Sequence, residues 1–312
     1  MKLIVPDYYD DFICIADRCK HSCCIGWEID VDDETLEKYQ NLKGSFGERL
    51  KNGIEIGECD AHFRLGENER CPFLNEKGLC DIILTVGEEY LSQICTDHPR
   101  YCSFYSDRTE IGLGLCCEEA ARIILSKQTK TQFLVCEDEE ESELPTEEEI
   151  EFLTRKEKLF NLAQNRNKNI SERMNDIEKE IGVSFPKQSF SDWIDLFLSL
   201  ECMDKSWQTL LSESKKSLSL TPFCKDLETA WEQLLVYFIY RHVSNHERDC
   251  AGPVLFALLS VCMIQGLFAF ICSQEGNCNT ERLIELCRLY SSEIEYSEEN
   301  TEKLIAFMEE SQ

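Results

Sequence analysis

The stretch VLFALLSVCMIQGLFAFIC, residues 254–272, contains 19 consecutive residues without a charge. A helix of that length could span a bilayer. However, Ser260, Gln265 and Gly266 interrupt the stretch near its middle, and no basic cluster flanks it, as would be usual for a membrane helix. Large helical proteins often contain one central helix that is buried on every side. We therefore predict a buried core helix enclosed by other helices, with a membrane span as the alternative.

The chain around this stretch has the patterns of amphipathic helices and few breaks. We predict that residues 152–312 form an all-α domain. Its further helices are predicted over residues 152–181, 190–198, 227–243, 281–290 and 301–310.

An acidic segment precedes this helical region. Residues 137–149 read EDEEESELPTEEE and contain no basic residue. Like charges at this density repel one another and stay solvated. We predict a linker over residues 137–151 that runs into a helix capped at Thr146, where acids in the first turn are favourable. The alternative is a docking segment for a basic partner.

The excess of acidic residues limits which classes of binding partner are plausible. The chain has 60 acidic and 32 basic residues, a net charge of −28. This charge argues against nucleic acid and against an anionic lipid surface as the main partner. The first residues contain no apolar stretch of signal-peptide length. We therefore expect a cytoplasmic protein with no membrane partner, whose thiols stay reduced.

Cysteine is the outlying residue type, because 12 of the 19 cysteines fall in residues 1–136. This region mixes short helix and strand patterns, so we predict a Cys-rich α+β metal-binding domain over residues 1–136 and a mainly helical α+β protein. Clustered thiolates select zinc, copper(I) or iron–sulfur clusters. The spacings match no zinc-finger pair and no common ferredoxin run, so they leave the metal open, including a purely structural zinc. There is also no glycine-rich phosphate loop of the dinucleotide-binding or P-loop kind.

The front half carries an ordered string of motifs. They are Pro6-Asp7-Tyr8-Tyr9, Cys14, Cys19, Cys23-Cys24, Gly26-Trp27, Cys71-Pro72-Phe73-Leu74, Gly78-Leu79-Cys80, Gly87-Glu88, Leu91-Ser92-x-x-Cys95, Pro99-Arg100 and Cys117-x-Glu119-Ala120-Ala121-Arg122. In this order they resemble the flagellin lysine-N-methylase family, relatives of the metal-chelating CxxCxxCC proteins. Residues 234–242, LLVYFIYRH, resemble the C-terminal helix of the same family.

The resemblance implies methyl transfer from S-adenosylmethionine to lysine side chains of flagellin, in an enzyme with a cysteine-bound [4Fe-4S] cluster. Zinc is the alternative metal. The family's metal-binding positions map onto Cys14, Cys19, Cys23, Cys24, Cys71, Cys80, Cys95 and Cys117. Where the family has Ser-Cys-Pro, this chain has Cys116-Cys117-Glu118, which leaves open which cysteine of the pair binds metal.

The sulfonium of S-adenosylmethionine is a cation, which carboxylates or aromatic faces hold well. We therefore predict a cofactor site beside the thiols, lined by groups such as Trp27, Glu88 and Glu119, and not a Rossmann crevice. The sequence identifies no catalytic base. A function of a different class is also open, namely a non-enzymatic iron–sulfur or zinc module that carries electrons or metal.

Overall fold

The computed structural model describes residues 1–57, 60–137, 143–216, 227–244, 250–276 and 279–311. By its contacts the chain divides into two units. Residues 13–100, here called the thiol unit, form one of them. Residues 1–12 together with 101–312 form the other, here called the framework unit.

The described residues form an α+β fold that is mainly helical, as the sequence predicts. The strands are β1 (Lys2–Pro6), β2 (Ile54–Ile56), β3 (Ala61–Phe63), β4 (Arg100–Phe104), β5 (Arg108–Leu113) and β6 (Phe133–Glu137). The helices are α1 (Asp33–Asn41), α2 (Ser45–Asn52), α3 (Asp81–Val86), α4 (Gln93–Asp97), α5 (Glu118–Ser126), α6 (Glu147–Ala163), α7 (Ile170–Ile181), α8 (Phe190–Leu198), α9 (Lys205–Lys215), α10 (Glu228–His242), α11 (Ala251–Glu275), α12 (Thr280–Tyr290) and α13 (Glu298–Glu310).

A four-stranded sheet in the order β4-β5-β1-β6 forms one part of the framework unit. The β1 strand pairs parallel to β5, with Ile4 opposite Glu110, and antiparallel to β6, with Ile4 opposite Val135. Parallel neighbours need a long crossover connection. Here the crossover between β1 and β5 is the sequence of the thiol unit itself.

This sheet explains why the units differ from the predicted domains 1–136, 137–151 and 152–312. Because β1 and β6 both pair within the framework unit, the Cys-rich region contributes strands to the helical part of the chain. The pairing joins residues more than a hundred positions apart, and no local pattern indicates it. The predicted division placed a boundary at residue 136, whereas contacts place the thiol unit at residues 13–100.

The framework core surrounds α11. Every side chain from Val254 to Cys272 is buried or half-buried, and α11 contacts α10, α12 and α13. The hydroxyl of Tyr290 donates to Ser260, so this polar residue of the helix is satisfied inside the core, at 2.9 Å. Among the described residues, α11 is the one helix long and apolar enough to cross a membrane. Its burial confirms the prediction of an enclosed core helix.

The acidic segment meets its helix as predicted. The side chain of Thr146 accepts a hydrogen bond from the Glu149 amide and caps α6, whose first turn is acidic. Residues 138–142 of the predicted linker lie outside the described residues. Glu149 is itself buried. Its carboxylate is satisfied there, because it accepts hydrogen bonds from the amide and hydroxyl of Ser106 at 2.8 and 2.6 Å. The end of the predicted linker is therefore anchored to the framework unit.

One cysteine departs from the expectation that the thiols of this chain stay reduced. All eight cysteines predicted as metal ligands are free thiols. Cys272, near the end of α11, is disulfide-bonded. The expectation that every thiol stays reduced is therefore wrong at this residue.

The thiol unit has a small core of its own, to which β2, β3 and the short helices contribute. The rings of Phe63 and Phe73 meet edge-on, with centroids 5.0 Å apart, and Tyr39 stacks on Phe63 at 6.3 Å. All three aromatic residues are fully buried. Cys71 belongs to this core, and Cys24, Cys80 and Cys95 pack against it.

Candidate metal centre

Backbone pairing brings the Cys24 and Cys71 segments together. The amide of Cys71 donates to the Cys24 carbonyl at 2.8 Å, and Ile25 forms an antiparallel bridge with Arg70. A second bridge joins Leu74 to Cys80. These pairings need no regular strand, which is why alternating hydrophobicity in the sequence does not indicate them.

The third and fourth segments of the site are two short helices. Cys80 is the residue that caps the N-terminus of α3, and Cys95 lies within α4. A 3-10 turn at Glu88–Tyr90 precedes α4 in this region.

One carboxylate fixes the position of α4. Asp32 accepts a hydrogen bond from the Thr35 amide of α1 at 2.9 Å and another from the Gln93 amide of α4 at 2.8 Å. The first amides of a helix lack partners within the helix, so Asp32 serves two helix starts at once. It thereby links α1 to the helix that carries Cys95.

Four thiols, here called the inner thiols, share one core. Cys71 belongs to the buried hydrophobic cluster of the thiol unit, and the other three pack against it. The inner thiols are Cys24, Cys71, Cys80 and Cys95. The structure therefore brings together one cysteine from each of four separate chain segments.

The inner thiols influence one another electrostatically. Burial raises the pKa of Cys71 to about 12; the Phe73 amide opposes this, and Cys24, Cys95 and Cys80 reinforce it. Burial likewise raises the pKa of Cys95 to about 11, opposed by a hydrogen bond with Ser92 and reinforced by Cys24 and Cys80. Crowded thiolates repel one another in a half-buried site. A bound metal cation would reverse this balance, because thiolates are the ligand form.

Cys23 and Cys24 form a vicinal pair joined by a thiol–thiol hydrogen bond. This bond raises the pKa of Cys23 and lowers the pKa of Cys24 to about 7. Burial opposes the change at Cys24, and Ser22 and Arg70 reinforce it. Cys24 is therefore the thiol of the pair that ionises first.

The spacing of the thiols bears on the kind of metal. A closed tetrahedral zinc site with Zn–S bonds of about 2.3 Å places its sulfurs about 3.8 Å apart. In the described part of the chain, no three cysteine sulfurs lie within 4.8 Å of one another. In a [4Fe-4S] cluster each thiolate binds a different iron, so the sulfurs stand farther apart. Both kinds of centre bind soft thiolate donors, and the four inner thiols suit either of them.

The remaining predicted ligands divide between the units. Cys14 is exposed, but its charge reaches the vicinal pair, because it helps to raise the pKa of Cys23. The thiol of Cys19 donates to the His21 carbonyl at 3.0 Å. Cys117 belongs to the framework unit, where it occupies the N-cap position of α5 without a side-chain capping hydrogen bond.

The predicted cofactor residues are also divided. Trp27 is half-buried in the thiol unit, its indole N–H donates to the Cys23 carbonyl at 2.6 Å, and its ring lies 6.1 Å from that of His98. Glu88 is exposed in the same unit. Glu119 is buried in the framework unit, where Arg122 donates to both of its oxygens at 2.5 and 2.7 Å.

Comparison with known proteins decides the family. The family described as the FliB lysine N-methylase C-terminal domain matches residues 111–312 of this chain. The chain belongs to the FliB lysine N-methylase family. The match confirms the resemblance inferred from the motifs.

Curated relatives agree with this assignment. A lysine-N-methylase of Salmonella choleraesuis is 31% identical over 130 residues, which are 39% of this chain and 32% of the relative. The corresponding protein of Salmonella typhimurium matches to the same extent. A flagellar biosynthetic protein FliU of Salmonella muenchen is also 31% identical over 130 residues, covering 75% of that protein. The match thus spans about a third of the two lysine-N-methylases, and no solved structure matches the chain.

The region matched by the FliB family contains a buried polar network that the sequence did not predict. Glu295 accepts hydrogen bonds from Tyr237 at 3.0 Å and lies 2.7 Å from His242 Nε2 and 3.3 Å from Arg241 Nε. Burial would raise the pKa of Glu295, but Arg241 and His242 lower it. The available signal was the run of polar groups within the apolar stretch 234–242.

This network of the FliB family domain reaches the Cys116–Cys117 turn. The Tyr237 hydroxyl accepts the Leu115 amide at 3.2 Å, just before the turn. Burial raises the pKa of Cys116 to about 12, against the effect of a hydrogen bond with Tyr296. Cys116 is therefore held as a neutral thiol within the framework.

Proposed function

We propose that this chain is a lysine N-methyltransferase that transfers the methyl group of S-adenosylmethionine to lysine side chains of flagellin. The observation that carries the proposal is the lysine N-methylase family match over residues 111–312. The name of the FliU relative, a flagellar biosynthetic protein, supports flagellin as the substrate. We place the reaction in the cytoplasm.

The cofactor part of the proposal rests on the inner thiols. The inner thiols come from four chain segments and share one core. They also raise the pKa values of Cys71 and Cys95, because neighbouring thiolates repel one another. We assign these four as the ligands of a [4Fe-4S] cluster; Cys14, Cys19, Cys23 and Cys117 are further predicted positions. Because four thiolates would occupy all four irons, such a cluster would hold the four chain segments together, and S-adenosylmethionine would bind beside it. A zinc ion is the alternative occupant.

Trp27 is the residue best placed to receive the sulfonium. Its indole N–H is fixed on the Cys23 backbone, so the ring stands beside the thiols and next to His98. Burial lowers the pKa of His98 to about 4, and Arg100 adds to this, so His98 is neutral at pH 7 and does not repel a cation. Glu88 lies in the same unit and can add negative charge, whereas the carboxylate of Glu119 is already neutralised by Arg122.

The substrate amine must be neutral before its nitrogen can attack the methyl group. The nitrogen–carbon bond then forms as the sulfur–carbon bond breaks, the sulfonium becomes a neutral thioether, and the amine loses a proton. The net charge of −28 would attract a lysine-bearing surface and speed encounter at low salt. Desolvation of the lysine beside the Trp27 ring would help to lower its pKa.

The test is a methylation assay with anaerobically purified enzyme, flagellin and S-adenosylmethionine carrying a labelled methyl group. We expect label on flagellin lysines by mass spectrometry, and its loss in a Trp27→Ala variant that retains its iron. The matched control is Phe104→Ala, which removes an exposed aromatic ring outside the thiol unit and should leave the labelling unchanged.

The alternative function, a carrier of electrons or metal, predicts a different result. Such a protein would hold iron but neither bind S-adenosylmethionine nor label flagellin. Iron-loaded protein that fails both assays would contradict the methyltransferase proposal.

A further inference from the structure

The small sheet of the thiol unit has an outer face that the proposed methyl transfer does not use. Residues 29–31 lie alongside β3, since the Val31 amide donates to Ala61 at 2.7 Å and the Phe63 amide donates to Ile29 at 2.9 Å. Ala61 and Phe63 are buried. Because side chains alternate across a strand, His62 points to the opposite face.

Carboxylates surround His62 on this outer face. Asp30 forms an antiparallel bridge with His62, and Glu55 of β2 lies opposite it in register. Glu28 and Asp30 share a face because they are two residues apart. Asp60, two residues before His62 in sequence, completes the set.

Three of these side chains converge closely. His62 Nε2 lies 3.8 Å from a Glu28 oxygen, and His62 Nδ1 lies 4.0 Å from an Asp60 oxygen. One ligand atom from each of the three lies within 4.8 Å of the other two. Neither distance is that of a hydrogen bond, and the buried Nδ1 atom has no hydrogen-bond partner. The imidazole of His62 therefore lies between two carboxylates and is hydrogen-bonded to neither of them.

We propose that Glu28, Asp60 and His62 form a binding site for one divalent cation, separate from the inner thiols. One imidazole nitrogen and two carboxylate oxygens are a donor set for ions such as Mn²⁺, Fe²⁺ or Zn²⁺. Metal–nitrogen and metal–oxygen bonds of about 2.0–2.2 Å place neighbouring ligand atoms about 3 Å apart. The side chains of Glu28 and Asp60 are exposed by 62% and 61%. Their carboxylates can therefore move to the ligand separation that a bound metal ion requires.

The chemistry of the donors separates this site from the polythiol site. Thiolates are soft ligands, whereas carboxylates prefer hard cations such as Mn²⁺. Three protein ligands leave coordination positions open for water or for an anionic ligand. A cation here would also offset the repulsion among the carboxylates on this face.

The experiment titrates the iron-loaded full chain with Mn²⁺ and follows the electron paramagnetic resonance signal of free Mn²⁺. We expect one tight equivalent, with a nitrogen coupling from an imidazole in the pulsed spectrum. The variants His62→Ala and Glu28→Gln should each weaken binding more than about tenfold, since loss of an outer-shell partner alone can cost that much. The visible absorption of the iron site should stay unchanged.

The matched control is Glu76→Gln, which removes an exposed carboxylate from the same unit and should leave the Mn²⁺ affinity unchanged. Absence of a tight equivalent, or equal affinity in wild type and His62→Ala, would overturn the proposal. The readout is independent of flagellin and of S-adenosylmethionine, so it stands or fails separately from the methyltransferase function.

Discussion

The thiol unit and the framework unit reach a stable fold by different means. The longest helix of the framework, α11, has 25 residues and is enclosed by other helices, whereas α3 and α4 of the thiol unit have 6 and 5 residues. Helices this short are not stable alone, and a core as small as that of the thiol unit supplies little burial. The thiol unit should therefore depend on its bound metal, whereas the framework should depend on apolar packing and a few buried ion pairs.

The largest effect that separates the units is removal of the inner thiols. A Cys71→Ser/Cys95→Ser variant should lose most of its iron and its methylation activity, because serine is a poor ligand for iron. Amide hydrogen exchange should rise across residues 13–100 and stay near wild type in α10 and α11. The control is Cys136→Ser, an exposed cysteine of the framework. Equal exchange in both units would show that the metal does not stabilise the thiol unit.

The framework should be most sensitive at Glu295, the acceptor of the buried network. Glu295→Leu leaves Arg241 and His242 without their carboxylate in a buried site, and we expect a loss of about 3–5 kcal/mol in the free energy of unfolding. Urea unfolding of the helical signal measures it. Glu299→Gln, which affects an exposed pair with Lys303, should leave the free energy of unfolding near that of the wild type.

Packing around α11 gives a third test. A β-carbon added at Gly266 would come within 2.1 Å of the Phe190 ring, so α8 and α11 approach closely there. We expect Gly266→Val to cost about 1–3 kcal/mol by overpacking. Iron content should not change. A Gly266→Val/Phe190→Ala double variant, in which the ring is removed, should be less destabilised than the sum of the single changes; additivity would argue against the close approach.

The double cap at Asp32 tests how far local bonds hold the thiol unit together. Asp32→Ala removes the acceptor for Thr35 and Gln93, and loss of one cap typically costs about 1 kcal/mol. We expect faster hydrogen exchange in both α1 and α4. Asp33→Ala, one residue on and not the cap, should leave α4 unaffected. An effect confined to α1 would show that Asp32 does not link the two helices.

The smallest expected effect is a pH dependence in the framework. Hydrogen bonds from Arg108, and then from Lys2, hold the pKa of Asp107 at about 2, below its ordinary value of 3.8, although burial opposes them. A lowered folded-state pKa stabilises above the unfolded value, and this contribution is lost as the pH falls from about 4 towards 2. Asp107→Asn should flatten the stability curve in that window. The exposed Asp10→Asn change should leave the curve as it is.

Sequence patterns predicted the elements of this protein that local chemistry determines. The uncharged run 254–272 indicated α11, and Thr146 with its acidic first turn indicated the start of α6. By contrast, the predicted helix 152–181 is two helices, α6 and α7. The break at residues 164–169 contains three asparagines, and Asn169 forms a capping box with Glu172, a local helix-start signal that the prediction missed.

Pairings between distant residues were the part that could not be predicted. The strand β5 is largely buried because it lies between β1 and β4, and β1 is a distant segment that no local pattern links to it. In the candidate site, cysteine spacing indicated a polythiol site, but the bridges at Ile25–Arg70 and Leu74–Cys80 and the Asp32 bond to α4 set which thiols meet. The Glu295 network was missed for the same reason, since its partners are more than fifty residues apart.

The position of the thiol unit between β1 and β5 also sets an order of events during synthesis. When residue 100 leaves the ribosome, every segment that carries an inner thiol has been made, but β5 and β6, the partners of β1, have not. Domains generally fold as units as they emerge. The thiol unit can therefore fold and bind metal before β5 and β6 have been synthesised. The sheet then forms when these strands pair with β1, after the thiol unit inserted between β1 and β5 has already folded.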